Sequence, residues 1–307
     1  MSKPKIILDC DPGHDDAIAI MMAGRHCDVL GITTVGGNVP LELTTRNALL
    51  STQIYDLAIP VHKGIANPLN MPPVHAPDIH GESGLGGPVL PGLKRDLASK
   101  EAIRFIIDTA RMHDDLHLVV TGPLTNIAIA FTQAPDIAKK FQSVSIMGGG
   151  HFGNRTPAAE FNIFFDPEAA DIVFRSEANL IMCGLNLTHQ FGIHRNELEL
   201  MKSIDNDASR FISDMIDFFG LTYEERYFGH FFPPLHDPCA VMAVTHPELF
   251  EFEAKNVAIE LTGTHTRGMT VIDERGVKND LPLNTQVAMK IDRQKALDLL
   301  LETMRSY

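Results

Sequence analysis

Residues 5–24 read KIILDCDPGHDDAIAIMMAG, and the order of these residues indicates the fold class. In the run 5–8 a lysine precedes three apolar residues, as in a short buried strand, whereas 17–23 has the apolar content of a helix that ends near Gly24. A polar loop, 9–16, joins the two. A strand that leads through a loop into a helix is the repeating unit of a parallel α/β sheet.

The same unit recurs through the first two thirds of the chain. Apolar runs that are followed by a loop and a helical pattern predict further strands at 29–33, 116–120, 144–147 and 180–182, and a helix at 41–55. Near the C-terminus, apolar segments predict a few edge strands, closed by a helix from Arg293; these segments are 256–261, 269–273 and 287–291. We therefore predict an α/β fold in which parallel strands are joined by crossover helices, with a few extra C-terminal strands.

We expect one domain, residues 1–307, with two loop excursions near 67–92 and 222–236. The first excursion is rich in Pro and Gly, and His80-Gly81-Glu82 at its centre favours a functional lid over a disordered segment. The second is rich in aromatic residues, which indicates either a helix end that packs rings into the core or a contact between subunits. No linker clearly divides the chain.

The composition is that of an ordinary globular protein, with 44% apolar and 21% charged residues among 307. The 26 basic and 39 acidic side chains give a formal net charge of −13, which argues against a general nucleic-acid binder, because clustered Lys and Arg hold phosphate. No run reaches the ~20 apolar residues of a membrane helix, and residues 2–8 lack the apolar core of a secretory signal. We therefore expect a cytoplasmic protein with no nucleic-acid or membrane partner.

The four cysteines, Cys10, Cys27, Cys183 and Cys239, form no C-x-x-C pair, which excludes the usual zinc-ribbon and thioredoxin patterns. We expect each to be a small buried residue in a reducing compartment. Cys10 lies between two acids, whose negative potential raises the pKa of a thiol and makes it a poor nucleophile. A cysteine enzyme is therefore not expected.

Four aspartates lie between positions 9 and 16, directly after the first predicted strand. Carboxylates this close repel one another, so that some of them must bind protons or share a cation. Pro12 and Gly13 predict a tight turn that directs Asp11 and Asp16 toward one point. Asp15 or Asp16 alternatively caps the following helix, but a cap needs only one acid. The excess favours a metal site, and oxygen ligands favour Ca²⁺ or Mg²⁺ over Zn²⁺.

Three later segments bring polar groups to other predicted strand or helix ends. Residues 121–126 (TGPLTN) offer a backbone carbonyl as a neutral ligand, and His236-Asp237-Pro238 indicates a helix start with Asp237 as N-cap. Residues 153–162 (GNRTPAAEFN) contain amides and a carboxylate, which are the groups that bind sugar hydroxyls, although a solvated loop is the alternative. In a parallel sheet, ligands bind at the carboxyl ends of the strands.

These blocks, taken together and in this order, resemble the inosine-uridine nucleoside hydrolases over nearly the whole chain. The matching positions are 9–16, 37–38, 80–82, 122–126, 154–162, 166–168 and 236–238. The resemblance implies an open, mostly parallel α/β sheet, a bound Ca²⁺ ion, and hydrolysis of the ribose–base bond of a ribonucleoside. We further expect a homo-oligomer, either a dimer or a tetramer.

Carried over by position, the resemblance implies a set of four Ca²⁺ ligands: Asp11, Asp16, Asp237 and the carbonyl of Thr121. Asp11 also matches the base that activates the attacking water. Cleavage of an N-glycosidic bond builds positive charge on the ribosyl ring, which an anionic pocket stabilises. A single displacement by water predicts inversion at C1′.

The resemblance also implies the residues that bind ribose. Asp15 and Asn162 match positions that hold the lower hydroxyls, Asn154 and Glu160 match positions nearer the 5′ side, and Asn38 matches a residue that steadies the ligands of the ion. Each of these side chains offers an amide or a carboxylate to a hydroxyl group.

Fewer residues of this chain match the positions that surround the base in the family. His236 matches a histidine beside the leaving base, and His80 resembles a histidine of bacterial pyrimidine-preferring members, so that either could donate a proton or hydrogen bond to the base. Tyr227 and Phe228 are base-contact candidates; both rings can stack on a base, but only Tyr227 can also donate a hydrogen bond. The preferred base expected from His80 is a pyrimidine, as in uridine or cytidine, with inosine as a further substrate.

Two other functions compete with hydrolysis. A non-catalytic protein that binds a nucleoside or a sugar would use the same hydroxyl contacts but would have no use for a base at Asp11. An aspartyl-phosphate phosphatase also has an acidic motif after its first strand, but its pattern requires Thr or Val where this chain has Gly13, and the downstream lysine signature is missing.

Overall fold

The structure, a computed structural model, describes residues 3–277 and 281–307. The strands of this part of the chain are β1 (Lys5–Cys10), β2 (Asp28–Thr34), β3 (Val61–Lys63), β4 (Leu116–Val120), β5 (Val144–Met147), β6 (Leu180–Cys183), β7 (Phe250–Lys255), β8 (Val257–Ile259), β9 (Thr270–Ile272) and β10 (Thr285–Ile291). One sheet has the order β3-β2-β1-β4-β5-β6-β10-β7, in which only β7 runs antiparallel to its neighbour. The predicted open, mostly parallel sheet is confirmed.

Helices cover both faces of this sheet. They are α1 (His14–His26), α2 (Leu41–Ile54), α3 (Pro77–His80), α4 (Ala102–Met112), α5 (Thr125–Gln133), α6 (Phe161–Phe165), α7 (Pro167–Phe174), α8 (Leu185–Thr188), α9 (Arg195–Lys202), α10 (Asp207–Tyr223), α11 (Asp237–Thr245) and α12 (Arg293–Arg305). Short 3₁₀ turns lie at Pro135–Ile137 and Pro247–Leu249, and a π-helical turn at Glu224–Phe228 extends α10. Across residues 3–277 and 281–307, none of the helices combines the length and apolar character needed to cross a membrane.

The side chains of β1 show how the sheet divides the core. Ile6 and Leu8 join the hydrophobic cluster that includes α1, whereas Ile7 joins the cluster on the opposite face, with Ile106 of α4 and Ile127 of α5. This alternation follows from the two-residue period of a strand. Because both faces are covered by helices, the strand is apolar at consecutive positions, as the sequence 5–8 suggested.

Helix α1 begins at His14, three residues before the predicted start. The backbone N–H of Gly13 donates to a carboxylate oxygen of Asp16 at 2.9 Å, so that Asp16 is the acid that caps this helix. Residues 14–23 are all buried, because α1 packs against the sheet on one side and against α10, α11 and α12 on the others. At α11 the prediction was wrong by one position: His236 is the N-cap, and Asp237 is the first helical residue.

The C-terminal strands differ from the predicted set of edge strands. Strand β10 lies inside the sheet, between β6 and β7, and β8 pairs with β9 in a separate two-stranded sheet. Two strands were missed: β3 has only three residues, and β7 (FEFEAK) has a charged residue at every second position because one of its faces is exposed. Both lie at the edges of the large sheet.

The two excursions contain structure of their own. Segment 67–92 includes the short helix α3, which carries His80, and segment 222–236 begins with the end of α10 and the π-helical turn. Tyr223 and Phe231 are buried, in agreement with a helix end that packs rings into the core. The alternative of a subunit contact stays a prediction.

Candidate active site

Loops at the carboxyl ends of the parallel strands surround an open pocket, whose volume together with the solvent space at its mouth is about 640 Å³. Most of the predicted site residues line it: Asp15, Asn38, His80, Thr121, Asn154, Glu160, Asn162, Tyr227, His236 and Asp237. Asp11 and Asp16 lie beside the pocket rather than in its lining, and Phe228 does not line it. The position at the strand ends is where a ligand of such a sheet is expected.

Three buried carboxylates, two of which line the pocket, lie close to one another. One oxygen each of Asp15, Asp16 and Asp237 lies within 4.8 Å of the other two. Asp15 and Asp16 occupy the first turn of α1, and Asp237 begins α11, which packs directly against α1. The packing of these two helices therefore brings together acids that are more than two hundred positions apart in the sequence.

Asp11 is fixed next to this group by the loop that follows β2. The backbone N–H of Asn38 donates to the Asp11 carboxylate at 2.7 Å, and the Asn38 amide donates to Asp16 at 3.3 Å. A Cβ atom at Gly37 would collide with the Asp11 carboxylate, and one at Gly122 would lie 2.7 Å from Asp11 Oδ1. Both glycines are therefore required by the close approach of the backbone to Asp11.

Burial and mutual repulsion disfavour the charged form of these acids. The pKa of Asp11 is raised well above its usual range by burial and then by the charge of Asp16. The same causes raise the pKa of Asp15 to about 7, while burial and then Asp15 raise that of Asp237 well above its usual range. A divalent cation among them would favour the ionised forms.

The donors fit a hard cation. All are oxygens, and Asp11 Oδ1 is buried with no hydrogen-bond partner among residues 3–277 and 281–307. The Thr121 carbonyl, the predicted neutral ligand, accepts a hydrogen bond from Asn162 at 2.7 Å and retains a second lone pair. Ca²⁺ and Mg²⁺ bind such oxygen ligands. The four cysteines are all buried, and burial raises the pKa of the Cys10 thiol well above its usual range, which disfavours a thiolate ligand beside Asp11.

Asp9, the remaining acid of the motif, has a different environment. Its Oδ2 accepts hydrogen bonds from Thr33 at 2.5 Å and from Asn126 at 2.7 Å. These contacts tie the ends of β1 and β2 to the start of α5. Asp9 is thus a buried link between strand ends, and burial raises its pKa to about 7.

The segment after β5 forms the side of the pocket predicted for ribose. Glu160 caps α6 by accepting the backbone N–H groups of Asn162, Ile163 and Gly149 at 2.9–3.1 Å. The Asn154 side chain accepts the N–H of Phe161 at 2.9 Å. Both side chains line the pocket but already have backbone partners, and burial raises the pKa of Glu160 to about 7.

His236 lies between two hydroxyl groups. Its Nδ1 is 2.7 Å from Thr188 Oγ1, and its Nε2 is 3.1 Å from the hydroxyl of Tyr223. Tyr223 and Tyr227 stack with ring centroids 4.9 Å apart, and both line the pocket. A buried imidazole with a partner at each nitrogen can pass a proton along this row of groups.

His80 is held by a second buried histidine. The Nδ1 atoms of His80 and His14 are 3.1 Å apart, and His14 Nε2 is 2.9 Å from the carbonyl oxygen of Gly86. Both rings stack on Phe219. Burial lowers the pKa of His14 to about 4 and that of His80 well below its usual value.

Comparisons with known proteins agree with this geometry. Residues 6–298 match the family model described as inosine-uridine preferring nucleoside hydrolase. The chain belongs to this family. It is 41% identical to the pyrimidine-specific ribonucleoside hydrolase RihA of Photobacterium profundum, with 100% of both chains covered, and 42% identical to the pyrimidine-specific ribonucleoside hydrolase RihB of Escherichia coli, with 100% of this hydrolase and 99% of the relative covered.

Solved structures show the same fold. A purine-preferring ribonucleoside hydrolase of Gardnerella vaginalis superposes on this hydrolase with a TM-score of 0.91 and 34% identity, covering 98% of each chain. A plant nucleoside hydrolase superposes with a TM-score of 0.91 and 32% identity, covering 99% of each. The predicted family and its enzymatic character are confirmed, and the aspartyl-phosphate phosphatase alternative was wrong.

Sequence reasoning missed several residues of the hydrolase pocket. Phe219 and Tyr223 line it together with Tyr227, and Thr188 contacts His236 from outside the lining. The first three lie four residues apart, at the end of α10 and in the turn that follows, so they share one helical face. That spacing is a signal visible in the sequence, whereas the contact of Thr188 joins the end of α8 to the N-cap of α11 and has no local sequence pattern.

Phe228 packs against this aromatic row but does not line the pocket. Its ring contacts His189 at 5.5 Å and Tyr223 at 5.5 Å between centroids. The contact of Phe228 with a base therefore stays a prediction. Tyr227, with 46% of its surface exposed, faces the pocket.

Proposed function

We propose that this hydrolase cleaves the N-glycosidic bond of ribonucleosides in the presence of Ca²⁺, with a preference for pyrimidine substrates such as uridine and cytidine. The observation that carries the proposal is the buried group formed by Asp15, Asp16 and Asp237 with Asp11 beside it, at the pocket formed by the carboxyl ends of the parallel strands. The names of the two bacterial relatives at 41–42% identity support the pyrimidine preference.

The ion would be held by Asp11, Asp16, Asp237 and the Thr121 carbonyl. The position of Asp15 within 4.8 Å of Asp16 and Asp237 makes it a further candidate ligand, or a bridge between the ion and ribose. When bound, such an ion supplies a positive charge that binds sugar hydroxyls and lowers the pKa of a coordinated water. Its charge would also favour the ionised state that Asp11 needs in order to act as a base.

The chain's own groups then account for the remaining steps. Asp11 accepts a proton from the attacking water, whose oxygen forms the new bond to C1′ while the bond from C1′ to the base nitrogen breaks. The electron pair of that bond goes to the base. Asp15 and Asn162 are proposed to hold the lower ribose hydroxyls, and Asn154 and Glu160 the 5′ side.

The leaving base needs a hydrogen bond or a proton, because its anion is a poor leaving group. His80 and His236 line the pocket and are the two candidates. The hydroxyl of Tyr223, 3.1 Å from His236 Nε2, is placed to carry a proton between this histidine and the pocket. Tyr227 is proposed to stack on the base.

A comparison of four substrates tests the proposal. Purified protein is incubated with uridine, cytidine, inosine and adenosine, and the release of reducing sugar gives kcat/KM for each. We expect turnover that disappears with a chelator and returns with Ca²⁺, and the highest kcat/KM for uridine or cytidine. Binding of nucleosides without release of ribose would instead establish the non-catalytic binding protein.

A second comparison tests the role of ribose. 2′-Deoxyuridine lacks one hydroxyl of the pair that the ion and Asp15 are proposed to hold, so its kcat/KM should be at least ~100-fold lower than that of uridine. Equal rates for the two nucleosides would contradict this binding mode. The homo-oligomeric state and the cytoplasmic location stay predictions.

A further inference from the structure

The unusual feature of the base pocket is the pair of buried histidines His14 and His80, whose Nδ1 atoms face each other at 3.1 Å. A contact of this length between two ring nitrogens requires a proton on one of them, because two lone pairs would otherwise repel. The question is which nitrogen carries it. The answer determines whether His80 presents a donor or an acceptor to the substrate.

The surroundings of His14 decide the position of its proton. His14 Nε2 lies 2.9 Å from the carbonyl oxygen of Gly86, and a carbonyl can only accept, so Nε2 carries hydrogen. The ring is fully buried against Phe218 and Phe219, and none of its hydrogen-bond partners in the described chain is a carboxylate that would favour a cation. A neutral His14 with hydrogen on Nε2 has a lone pair on Nδ1.

It follows that the shared proton belongs to His80. We propose that His14 is a positioning residue that holds His80 in the Nδ1–H form, so that Nε2 of His80 accepts a hydrogen bond from an N–H group of the leaving base. This inference rests on the proposed hydrolysis and narrows its chemistry. His80 accepts a hydrogen bond from the base. The group that donates a proton or a hydrogen bond to the departing nitrogen then belongs to the pair His236 and Tyr223.

One contact opposes this arrangement and is weaker. The backbone N–H of His14 also points at His80 Nδ1, at 3.4 Å, which would favour a lone pair there. The ring-to-ring contact is shorter by 0.3 Å, and reversing it would place the two Nδ1 lone pairs together. The backbone contact matters for the test, because it remains when the His14 side chain is replaced and then favours the opposite form of His80.

A lone pair at His80 Nε2 favours bases that carry a hydrogen-bond donor. Uracil and hypoxanthine present a ring N–H next to a carbonyl, and cytosine presents an amino group, so each offers a donor to Nε2. A base whose ring nitrogen is methylated offers none at that position. Nε2 itself has no hydrogen-bond partner among residues 3–277 and 281–307, and His80 lines the pocket.

Neutron diffraction from a crystal of the deuterated full chain tests the proton positions directly. We expect deuterium on Nδ1 of His80 and on Nε2 of His14, and none on Nε2 of His80. Deuterium on Nε2 of His80, or on both nitrogens of His14, would overturn the proposal. This measurement needs no turnover, so it is decided independently of whether the protein hydrolyses nucleosides.

Kinetics test the consequence, with uridine and 3-methyluridine as the pair of substrates. His14→Phe keeps a ring of similar size but removes both nitrogens, and should lower the ratio of kcat/KM for uridine over 3-methyluridine by about tenfold, the value of one hydrogen bond. Phe218→Leu is the matched control, because it removes a ring that contacts His14 and leaves the nitrogen pair intact; its ratio should change by less than about twofold.

A His80→Leu background completes the experiment. If His14 acts through His80, the additional change His14→Phe leaves the substrate ratio of the His80→Leu protein unchanged. An equal loss for both substrates in the single His14→Phe protein would show that His14 only packs the site, and would contradict the proposal. Absence of ribose release from every nucleoside would instead refute the proposed function.

Discussion

Two parts of the pocket differ in exposure: the metal side, where an ion is proposed to bind, and the base side, where the base is proposed to bind. The acids of the metal side, Asp11, Asp15, Asp16 and Asp237, are at most 4% exposed, whereas the base side ranges from the buried His236 to Tyr227, which is 46% exposed. Metal-side residues lie in the loop after β1 or in the first turn of a helix, where backbone amides and two glycines restrict them. Residues of the base side lie on α3, at the end of α10, in its π-helical turn and at the N-cap of α11. These segments belong to the excursions outside the repeating α/β units.

The difference has a physical consequence. On the metal side, repulsion between buried carboxylates dominates the electrostatic energy. A substitution there acts by changing this charge or by displacing closely packed atoms by a few tenths of an ångström. On the base side, rings stack and hydroxyls form hydrogen bonds, so substitutions change how a particular base is held. We therefore expect metal-side variants to affect all substrates alike and base-side variants to discriminate between substrates.

The largest effect is expected for Asp11→Asn. Loss of the proposed base should lower kcat by ~1,000-fold or more for every nucleoside. Because Asp11 is buried beside Asp16, removal of its charge should leave the melting temperature without divalent ions unchanged or raise it. The measurements are reducing-sugar release and thermal unfolding with a chelator, and Asp28→Asn, at an exposed position of β2, is the control. Retained activity would exclude Asp11 as the base.

A second metal-side prediction concerns the space around the Asp11 carboxylate rather than its charge. Gly37→Ala places a methyl group against the Asp11 carboxylate, so it should lower kcat/KM by about 100-fold for uridine and inosine alike and weaken the stabilisation by Ca²⁺. Gly92→Ala is the matched control, because nothing lies within 4 Å of a Cβ at that position. A fully active Gly37→Ala protein with normal Ca²⁺ dependence would show that the position of Asp11 is not restricted in this way.

The difference between the metal side and the base side also explains which features could be predicted from the sequence. The acids at 9–16 follow an apolar strand directly, so their location at the sheet edge could be predicted from neighbouring residues alone. The meeting of Asp16 with Asp237 was accessible only through family resemblance, because it depends on the packing of α1 against α11. Strands β3 and β7 were missed, since a three-residue strand and a charged edge strand carry little apolar pattern.

The base side could be predicted only in part. The family pattern predicted His80 and His236, and the four-residue spacing of the aromatic residues 219, 223 and 227 is visible in the sequence. The contacts of His236 with Thr188 and Tyr223 join three helices or helix ends, and the pairing of His14 with His80 crosses 66 positions. No local pattern contains such information, because side chains that meet through tertiary packing need not be close in sequence.

On the base side, the larger loss is expected for His236→Ala. It should lower kcat for uridine by about 100-fold, but that for p-nitrophenyl riboside by less than about fivefold, because p-nitrophenolate leaves without a proton. Tyr223→Phe keeps the stacked ring and removes the hydroxyl 3.1 Å from His236 Nε2, so it should show the same selectivity with a smaller loss, near tenfold. Equal losses on both substrates would indicate that His236 only positions the substrate.

The smallest expected effect is a change in KM that distinguishes Tyr227 from Phe228, its neighbour in the π-helical turn. Tyr227 lines the pocket and stacks on Tyr223, so Tyr227→Ala should raise KM for uridine by about three- to tenfold with little change in kcat, since a lost stacking contact is worth about 1 kcal/mol. Phe228→Ala removes a ring that packs against Tyr223 and contacts His189, so its KM should stay within about twofold of the parent value. Steady-state kinetics with uridine and inosine measure both variants. If Phe228→Ala raised KM more than Tyr227→Ala did, the base would have to lie nearer to Phe228 than to Tyr227, and the assignment of this pocket to the base would be wrong.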